Sequence, residues 1–363
     1  MTHVGIVGGG LAGLAAALAA ARAGARVEVF EAQAEAPVLP VPIDVVPNLL
    51  RDLASLGLGE ACVRRGFPYQ GMGLCDGDGR RHAEVPTPRL AGPALPAALG
   101  MVYGDLLALL REACGAAGVQ LWAGRPVVDA GPQGRLQTED GQVHRVDLAV
   151  LACGTRLPHI AGAPARPLAL EALPQQWCHA LMRRPLALEQ AAWVLGPGPS
   201  KLMLVPVDAR RAGVVLQQPP GAPTTAAAIR TQLAGQGRWL AQIAAQWHDA
   251  TPTLLRPVAT GLLDGDWSAH GVLRIGHAAH VLPPQFGQAA AQTVEDAVVL
   301  GELLRAGLGP AALPAAFMAR RAGRARQVHA VVTQAAHWDL RPDATTDLPA
   351  LAARLAPLVS LPP

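Results

Sequence analysis

The stretch that decides the fold is HVGIVGGGLAGLAAALAAARAGARVEVFEAQ, residues 3–33, at the start of the chain. Val4–Val7 is an apolar run typical of a strand that is buried on both faces. The Ala- and Leu-rich residues after it favour a helix, and Gly24 is suited to end that helix. Arg26–Phe30 predicts a second strand. The stretch therefore predicts strand, glycine turn, helix and strand within about 30 residues.

The glycines of the turn have the spacing G-x-G-x-x-G. Gly8 permits the tight turn, Gly10 lets a diphosphate approach the backbone, and Gly13 lets the helix pack closely on the strand. The free N–H groups where the helix starts, from Leu11 and Ala12 onward, are suited to hold the phosphates. The spacing in this context predicts a ligand that contains ADP, although a glycine turn without a ligand is the alternative.

Glu31 ends the second strand, where a carboxylate accepts hydrogen bonds from ribose hydroxyls and favours an adenosine without a 2′-phosphate. A simple nicotinamide dehydrogenase would continue to alternate strands and helices. Here the proline-rich loop APVLPVPIDVVP, residues 36–47, comes next, followed by a predicted helix, NLLRDLASLGL. The chain thus departs from the dehydrogenase pattern directly after its second strand.

Three separated segments resemble the para-hydroxybenzoate hydroxylase-like FAD-dependent monooxygenases. They are the opening fingerprint, VDLAVLACGTR at Val146–Arg156, and RIGHAAHVLPPQFGQAAAQTVEDAVVLGELL at Arg274–Leu304. The resemblance implies an α/β fold, with a Rossmann-like FAD-binding domain and an inserted antiparallel β-sheet substrate domain. It implies an FAD-binding domain at 1–165 and 262–330, a substrate domain at 166–261 and a helical tail at 331–363. Residues 161–175 are the predicted linker.

The chain departs from that family at four predicted cofactor-binding positions. His277 stands where the family has an aspartate that binds the ribityl chain of FAD, and Cys153 stands for the aspartate of an Asp-Gly pair that is tied to flavin and NAD(P)H binding. Tyr103 replaces an arginine that contacts the cofactor, and Ala289 replaces a glycine of the loop after Pro284. We expect these changes to weaken the binding of FAD rather than to abolish it.

Other positions follow the family. The resemblance places Gly154, Gly287 and Gln288 at the cofactor and Val127 near the adenine. It also implies that Pro284 and Phe286 line the substrate pocket. The predicted cofactor site comprises Gly8, Gly10, Leu11, Ala12, Gly13, Glu31, Tyr103, Val127, Cys153, Gly154, His277, Gly287, Gln288 and Ala289.

Composition excludes several other classes of protein. Of the 363 residues, 51% are hydrophobic and 16% are charged, so the chain can bury a large core. A net charge of +3, scattered along the chain, does not indicate a nucleic-acid partner. No apolar run reaches the roughly 18 residues that a membrane span needs. Five scattered cysteines without a metal-like spacing indicate reduced thiols in a cytoplasmic protein.

Two further patterns were interpreted as structural. Arg320, Arg321, Arg324 and Arg326 lie on a predicted basic helix, and we expect them to form a solvated face. His277 and His280 are three residues apart, but no third ligand lies nearby in the sequence, so no metal site is predicted.

These patterns favour an FAD-dependent monooxygenase that acts on an aromatic or polyketide-like small molecule with NAD(P)H and O2. The four departures keep two alternatives open. One is a divergent family member that binds ligands without redox turnover, and the other is a flavin oxidase or dehydrogenase that does not use NAD(P)H. No catalytic side chain is predicted, because the flavin supplies the hard chemistry in such enzymes. Oligomeric state and substrate identity do not follow from the sequence.

Overall fold

A computed structural model describes residues 1–35, 39–160, 168–195, 201–222 and 224–363. The first part of the predicted linker, residues 161–167, therefore lies outside the described residues.

The described strands alternate with helices only in the first third of the chain. In chain order they are β1 His3–Val7, β2 Arg26–Glu31, β3 Pro42–Val45, β4 Phe67–Tyr69, β5 Gly71–Cys75, β6 Arg81–Pro86, β7 Ala98–Val102, β8 Gln120–Ala123, β9 Val127–Gly131, β10 Arg135–Thr138, β11 Val143–Arg145, β12 Leu148–Leu151, β13 His159–Ile160, β14 Glu171–Arg183, β15 Ala191–Leu195, β16 Lys201–Pro206, β17 Arg211–Gln218, β18 Thr253–Leu262, β19 Ser268–Ala269, β20 Val272–Arg274 and β21 His280–Val281.

The described helices concentrate at the two ends of the chain. They are α1 Leu11–Arg22, α2 Pro47–Ser55, α3 Gly59–Arg65, α4 Tyr103–Ala116, α5 Ala226–Leu233, α6 Arg238–Gln246, α7 Gln288–Arg305, α8 Leu313–Leu340 and α9 Leu348–Ser360. Single 3-10 turns occur at Pro132–Gly134, Gly276–Ala278 and Gln285–Gly287.

A mostly parallel sheet forms the nucleotide-binding half, with the strand order β19-β20-β12-β1-β2-β8. β1 pairs in parallel with β12 and β2, and β20 and β8 extend the sheet in parallel on either side. Helix α1 is buried between this sheet and α7. The two helices are so close that a Cβ on Gly301 of α7 would lie 2.8 Å from the Cβ of Ala19 in α1. This spacing explains why α1 is built from alanine rather than larger residues.

A second, larger sheet has the order β21-β18-β14-β17-β16-β15-β5-β6. Its central strands, β18, β14, β17, β16 and β15, are antiparallel, as the resemblance implies. One face is covered by α5 and α6, whose Ile229, Leu233 and Ile243 share a core with Cys178 and Val214 of the sheet. On the opposite face Trp177 and Val215 pack with Ala336 of α8; we call this the inner face.

Two small sheets complete the architecture, with the orders β11-β10-β9-β13 and β3-β7-β4. The sequence TEDGQVHRV, residues 138–146, predicts a hairpin in the first of these, and the pairing of β10 with β11 confirms it. Strands β5 and β6 come from the segment before residue 165, yet they extend the large sheet. Helix α8 is continuous across position 330, where the tail was predicted to begin. The predicted domain boundaries stay predictions.

Several element predictions were wrong in detail. The helix-forming residues from Met101 to Ala117 predict a helix from Met101, but Met101 and Val102 end β7, where they pair with β3, and α4 begins only at Tyr103. The sequence VQLWAGRPVV, residues 119–128, predicts one strand. It is split, because β8 pairs with β2 of the parallel sheet whereas β9 pairs with β10 of a small sheet. The proline-rich loop contains β3.

Candidate functional site

In the glycine turn between β1 and α1, a side chain would clash with the protein at two of the glycines but not at the third. Gly8 has φ +108°, and a Cβ there would lie 2.6 Å from the carbonyl oxygen of Ala152. A Cβ on Gly13 would lie 1.8 Å from the carbonyl oxygen of Gly8. Around Gly10, in contrast, no atom lies within 4 Å of the position that a Cβ would take. Close packing thus explains why Gly8 and Gly13 have no side chain, whereas Gly10 leaves space that a ligand can enter.

Helix α1 starts at that open space without a side-chain cap. Gly10 is the N-cap residue, no acidic residue lies in the first turn, and the first intrahelical bond runs from Leu14 N–H to Gly10 O at 2.9 Å. The N–H groups of Leu11, Ala12 and Gly13 therefore point out of the helix end with no partner inside it. The amides of Ala12 and Gly13 are suited to a diphosphate.

Tyr103, the first residue of α4, lies at the same helix end. Burial raises the pKa of Tyr103 above its usual value. The Leu11 N–H donates a hydrogen bond to the phenol oxygen, which has a smaller effect in the opposite direction. Tyr103 is therefore a neutral hydroxyl beside the predicted diphosphate position, where the family has a cation.

Glu31 is fixed against the glycine turn by backbone donors. Its Oε2 accepts from Gly9 N–H at 2.6 Å, and its Oε1 accepts from Gln33 N–H at 2.8 Å. Each carboxylate oxygen retains a lone pair for a further donor. The carboxylate is thus oriented at the end of β2, and its contact with a ribose stays a prediction.

Cys153 and Gly154 follow β12 on the other side of the turn. The Cα of Cys153 lies 2.9 Å from where a Cβ on Gly8 would be, and Gly154 takes φ +67°. Burial raises the pKa of the Cys153 thiol to about 11, whereas the charge of Arg274 lowers it. The thiol is therefore neutral near pH 7. Cys153 and Val127 both pack against one apolar cluster, which includes Val7 and Phe30.

His277 is brought to the start of α1 by the glycine before it. Gly276 has φ +56°, and a Cβ there would lie 2.9 Å from the Cβ of Ala12. His277 is exposed to solvent. The surrounding protein lowers its pKa to about 4, with smaller contributions from His280 and Arg256. The imidazole is therefore neutral near pH 7 and can accept one hydrogen bond while donating another.

The loop that follows is held in a left-handed conformation. Phe286 and Gly287 take φ values of 56° and 67°, and a Cβ on Gly287 would lie 2.5 Å from Cγ1 of Val46. Gln288 forms a reciprocal amide pair with Asn48 of α2, at 3.1 and 3.3 Å. This pairing joins residues 240 positions apart and fixes the start of α7.

The apolar side of the same loop packs against the end of the chain. Phe286 and Ala289 contact a cluster that includes Leu282 and the α9 residues Leu351 and Leu355. Pro284 precedes the 3-10 turn and is half-buried. The pocket-lining roles of Pro284 and Phe286 stay predictions.

A buried ionic network lies behind the loop. Asp296 Oδ2 accepts from Gly276 N–H and from His280 Nε2, both at 2.8 Å, and Arg321 Nε donates to Oδ1 at 2.7 Å. Arg321 also bonds to Glu295. Burial by itself would raise the pKa of Asp296, but His280 and Arg321 together lower it to about 2.

The expectation of a solvated arginine face on α8 is wrong for Arg321, which is 0% exposed. Arg324 reaches Glu295 and the carbonyl oxygen of Leu361, and Arg320 bonds to Glu302 and to the carbonyl oxygen of Pro363. Arg326 is exposed. Three arginines of this helix therefore contact α7 or the chain end. The charge pattern of the sequence does not predict these contacts.

Sequence reasoning also missed a polar cluster where the loop meets the large sheet. The Nε2 of Gln285 donates to Gln175 Oε1 at 3.0 Å and to Asp339 Oδ2 at 2.8 Å. Gln217 Nε2 donates to the same two oxygens, at 3.1 and 3.2 Å. Asp339 also pairs with Lys201 at 2.8 Å. These contacts hold the loop against the inner face. They join residues that are far apart in the sequence, so no local sequence pattern predicts them.

The structure thus brings the glycine turn, Glu31, Tyr103, Cys153 and His277 to one crevice. The loop from Pro284 to Ala289 lies between that crevice and the inner face of the large sheet. Val127 lies in the neighbouring small sheet.

Two absences apply to the part of the chain that the structure describes. Its residues contain no group of three or more His, Cys, Asp or Glu side chains that could hold a metal ion. None of its helices has the length and apolar character needed to cross a bilayer. The five cysteines are free thiols.

A family model described as "FAD binding domain" matches residues 1–335. The chain is 26% identical over 338 residues to YetM of Bacillus subtilis, described as an FAD-dependent monooxygenase, with 90% of this chain and 91% of YetM covered. It is also 26% identical over 315 residues to 2-heptyl-3-hydroxy-4(1H)-quinolone synthase of Pseudomonas aeruginosa, with 82% and 79% covered.

Solved structures share the fold over nearly the whole chain. 2-Methyl-3-hydroxypyridine-5-carboxylic acid oxygenase superposes with a TM-score of 0.83 at 20% identity, covering 98% of this chain and 96% of the other. Klebsiella pneumoniae HpxO, solved with FAD and uric acid, superposes with a TM-score of 0.80 at 22% identity, covering 99% and 97%.

Proposed function

The chain belongs to the FAD binding domain family, and from this premise we propose that it is a monooxygenase that inserts an oxygen atom from O2 into an aromatic or polyketide-like small molecule. Membership of the family makes it an FAD-dependent oxidoreductase. The nicotinamide reductant and the class of substrate belong to the proposal.

One observation carries the proposal: the uncapped start of α1 opens onto the space beside Gly10. The amides of Ala12 and Gly13, together with the open space where a Cβ of Gly10 would stand, fit a diphosphate. We assign Glu31 to the adenosine ribose and the neutral imidazole of His277 to a ribityl hydroxyl, since the first is fixed at the end of β2 and the second lies near the start of α1. The residues present therefore fit FAD without a carboxylate at 277 or 153.

Reduced FAD, when bound, supplies the electrons with which O2 is activated for transfer to carbon. The protein has to orient the substrate and exclude water from the reacting atoms. The loop at Pro284–Ala289 is suited to this task, because Gln285 ties it to the large sheet and Gln288 ties it to α2. On the inner face the partly buried Trp193 and Met203, which pack beside the buried Trp177, offer apolar surface for a ring.

NAD(P)H is proposed as the transient reductant. Support comes from the relatives described as monooxygenases.

The test is a reduction experiment on the purified protein. We expect a yellow protein whose visible flavin absorbance is bleached by NADH or NADPH without oxygen, and returns when air is admitted. A yellow protein that neither nucleotide bleaches would point instead to a flavin oxidase or dehydrogenase. A colourless protein that does not bind added FAD would overturn the proposal.

A further inference from the structure

Asp44 of β3 carries its carboxyl group on the side of the small sheet that faces the large sheet. A Cβ on Gly213 of β17 would lie 2.0 Å from the Cβ of Pro42, so Pro42 packs on the large sheet at Gly213. Gly213 and Val215 are two residues apart on β17 and share the inner face. Pro42 and Asp44 are likewise two residues apart on β3 and project from one face. Asp44 is therefore directed toward the inner face.

The strand beside β3 gives the same orientation independently. Asp44 lies opposite Gly100 of β7, and directly opposed residues in antiparallel neighbours project from the same face. A Cβ on Gly100 would lie 2.5 Å from Cγ1 of Val205 in β16. Just after β3 ends, Cγ1 of Val46 lies 2.5 Å from the position that a Cβ on Gly287 would take. Asp44 thus lies between the inner face and the loop that the proposed function assigns to the substrate.

One oxygen of the Asp44 carboxyl is bonded within the protein and the other is free. The Tyr69 hydroxyl of β4 donates to Oδ1 at 2.6 Å. Among the residues that the structure describes, none donates to Oδ2, and no cation pairs with the carboxyl. Asp44 is partly exposed, so a donor from outside the protein can reach it. Burial raises the pKa of Asp44 to about 6, and the Tyr69 bond opposes this rise, so the carboxyl is mostly ionised near pH 7.

A carboxylate in such surroundings favours one kind of ligand over another. Removing it from water is costly unless donors or a cation surround it. A ligand with an N–H or O–H group would supply the missing donor to Oδ2, whereas a ligand carboxylate would meet a like charge.

Apolar surface for a ring lies on the same stretch of the inner face. Met203 is two residues from Val205 on β16, and Trp193 of β15 lies opposite Met203. Both side chains are partly exposed. An aromatic ring on this surface would therefore have the free oxygen of Asp44 on the side of the small sheet.

We propose that Asp44 is a specificity-determining residue that binds an N–H or O–H donor of a planar aromatic substrate and disfavours a substrate that carries a carboxylate. Tyr69 occupies Oδ1 and so leaves Oδ2 for the ligand. The inference rests on the proposed function, because it narrows the substrate class of the same site.

The test follows the visible spectrum of the FAD-loaded protein as ligands are added. The probes are 2-naphthol with naphthalene, 2-methoxynaphthalene and 2-naphthoate, and indole with 1-methylindole. We expect 2-naphthol or indole to perturb the flavin spectrum and to bind at least about tenfold more tightly than its methylated counterpart, because a hydrogen bond to a charged group is lost in the latter. Naphthalene controls for the bulk of the methyl group and should also bind more weakly than 2-naphthol.

Asp44→Asn distinguishes a role in binding from a role in structure, because its two effects should have opposite signs. The donor ligand should bind about fivefold more weakly, since a neutral acceptor replaces a charged one. 2-Naphthoate should bind at least about fivefold more tightly, since the like charge is removed. The melting temperature without added ligand should not fall. Asp249→Asn, at an exposed position, is the matched control and should change none of these quantities.

Several results would overturn the inference while FAD binding, and so the proposed function, stands. They are equal affinity of the wild type for a donor and its methylated counterpart, equal affinity for 2-naphthol and 2-naphthoate, or no spectral response to either donor. An Asp44→Asn variant whose two affinities stay unchanged, or move in the same direction, would also overturn it. A variant that loses affinity for FAD but keeps the preference for donors would reassign Asp44 to the cofactor. Failure of the wild type to bind FAD would instead refute the proposed function.

Discussion

His280 Nε2 lies 2.8 Å from Asp296 Oδ2, and the same oxygen accepts the Gly276 N–H. A carboxylate of α7 therefore fixes the backbone that carries His277 to the start of α1. Arg321 of α8 neutralises that carboxylate from the other side at 2.7 Å. Through these bonds the position of one crevice residue depends on ionic contacts behind the site.

The first prediction concerns this ionic network. Arg321→Met leaves the buried carboxylates of Asp296 and Glu295 without their principal cation, so we expect the free energy of unfolding to fall by about 3–5 kcal/mol. Chemical denaturation measures it. Arg326→Met, at an exposed position of the same helix, is the control and should stay within about 0.5 kcal/mol of the wild type. Equal effects of the two changes would contradict the network's role.

Local patterns were enough to predict the nucleotide-binding part of the fold. Strand, glycine turn, helix and strand follow one another within residues 3–31, so spacing alone defines them. The prediction failed where the pairing of strands determines the structure. The helix-forming neighbours of Met101 indicated a helix, yet Met101 lies in β7, which pairs with β3. The prediction for the arginines of α8 failed for a similar reason, because a charge pattern does not show whether an arginine faces solvent or a buried carboxylate such as Asp296.

A second prediction concerns pH. The folded protein lowers the pKa of His277 from about 6.5 to about 4, so the unfolded chain binds a proton there at a higher pH than the folded one. Stability linked to this residue is therefore full above about pH 6.5 and is lost as the pH falls toward 4. We expect His277→Asn to show a smaller loss of thermal stability between pH 7 and pH 4 than the wild type. Parallel pH profiles of the two proteins would expose an error in this assignment.

The chain end offers a third prediction. Leu355 of α9 is 5% exposed and packs in the cluster that contacts Phe286, whereas Leu361 is 65% exposed. Leu355→Ala should reduce the free energy of unfolding by about 2–5 kcal/mol because it leaves a cavity. Leu361→Ala should have an effect of less than about 0.5 kcal/mol. If Leu355→Ala were as mild as its control in urea denaturation, α9 would not stabilise the loop as its contacts indicate.

The fourth prediction tests the residue that replaces an aspartate. His277→Asp would give the crevice a carboxylate that accepts two hydrogen bonds where the imidazole accepts one. We expect FAD to bind roughly tenfold more tightly, since one extra hydrogen bond to a charged group contributes about 1.5 kcal/mol or more. Titration of the FAD-free protein, followed by flavin fluorescence, measures the dissociation constant. His248→Asp, at an exposed site, should leave it unchanged, and weaker binding by His277→Asp would refute the position given to residue 277.

The fifth prediction separates the two kinds of glycine in the turn. A Cβ at Gly10 meets nothing within 4 Å, and its φ of −82° suits alanine, so Gly10→Ala should fold with undiminished stability in the absence of FAD. A Cβ at Gly13 would meet the Gly8 carbonyl oxygen at 1.8 Å, so Gly13→Ala should fail to fold or lose several kcal/mol.

For FAD the expectation is specific to Gly10. The added methyl group occupies the space through which a diphosphate approaches the α1 amides, so Gly10→Ala should lose most of its affinity for FAD while its melting temperature without ligand stays that of the wild type. Gly323→Ala, in an open position of α8, controls for the substitution and should bind FAD normally. If Gly10→Ala bound FAD as tightly as this control, the amides that open α1 could not be the site of the diphosphate.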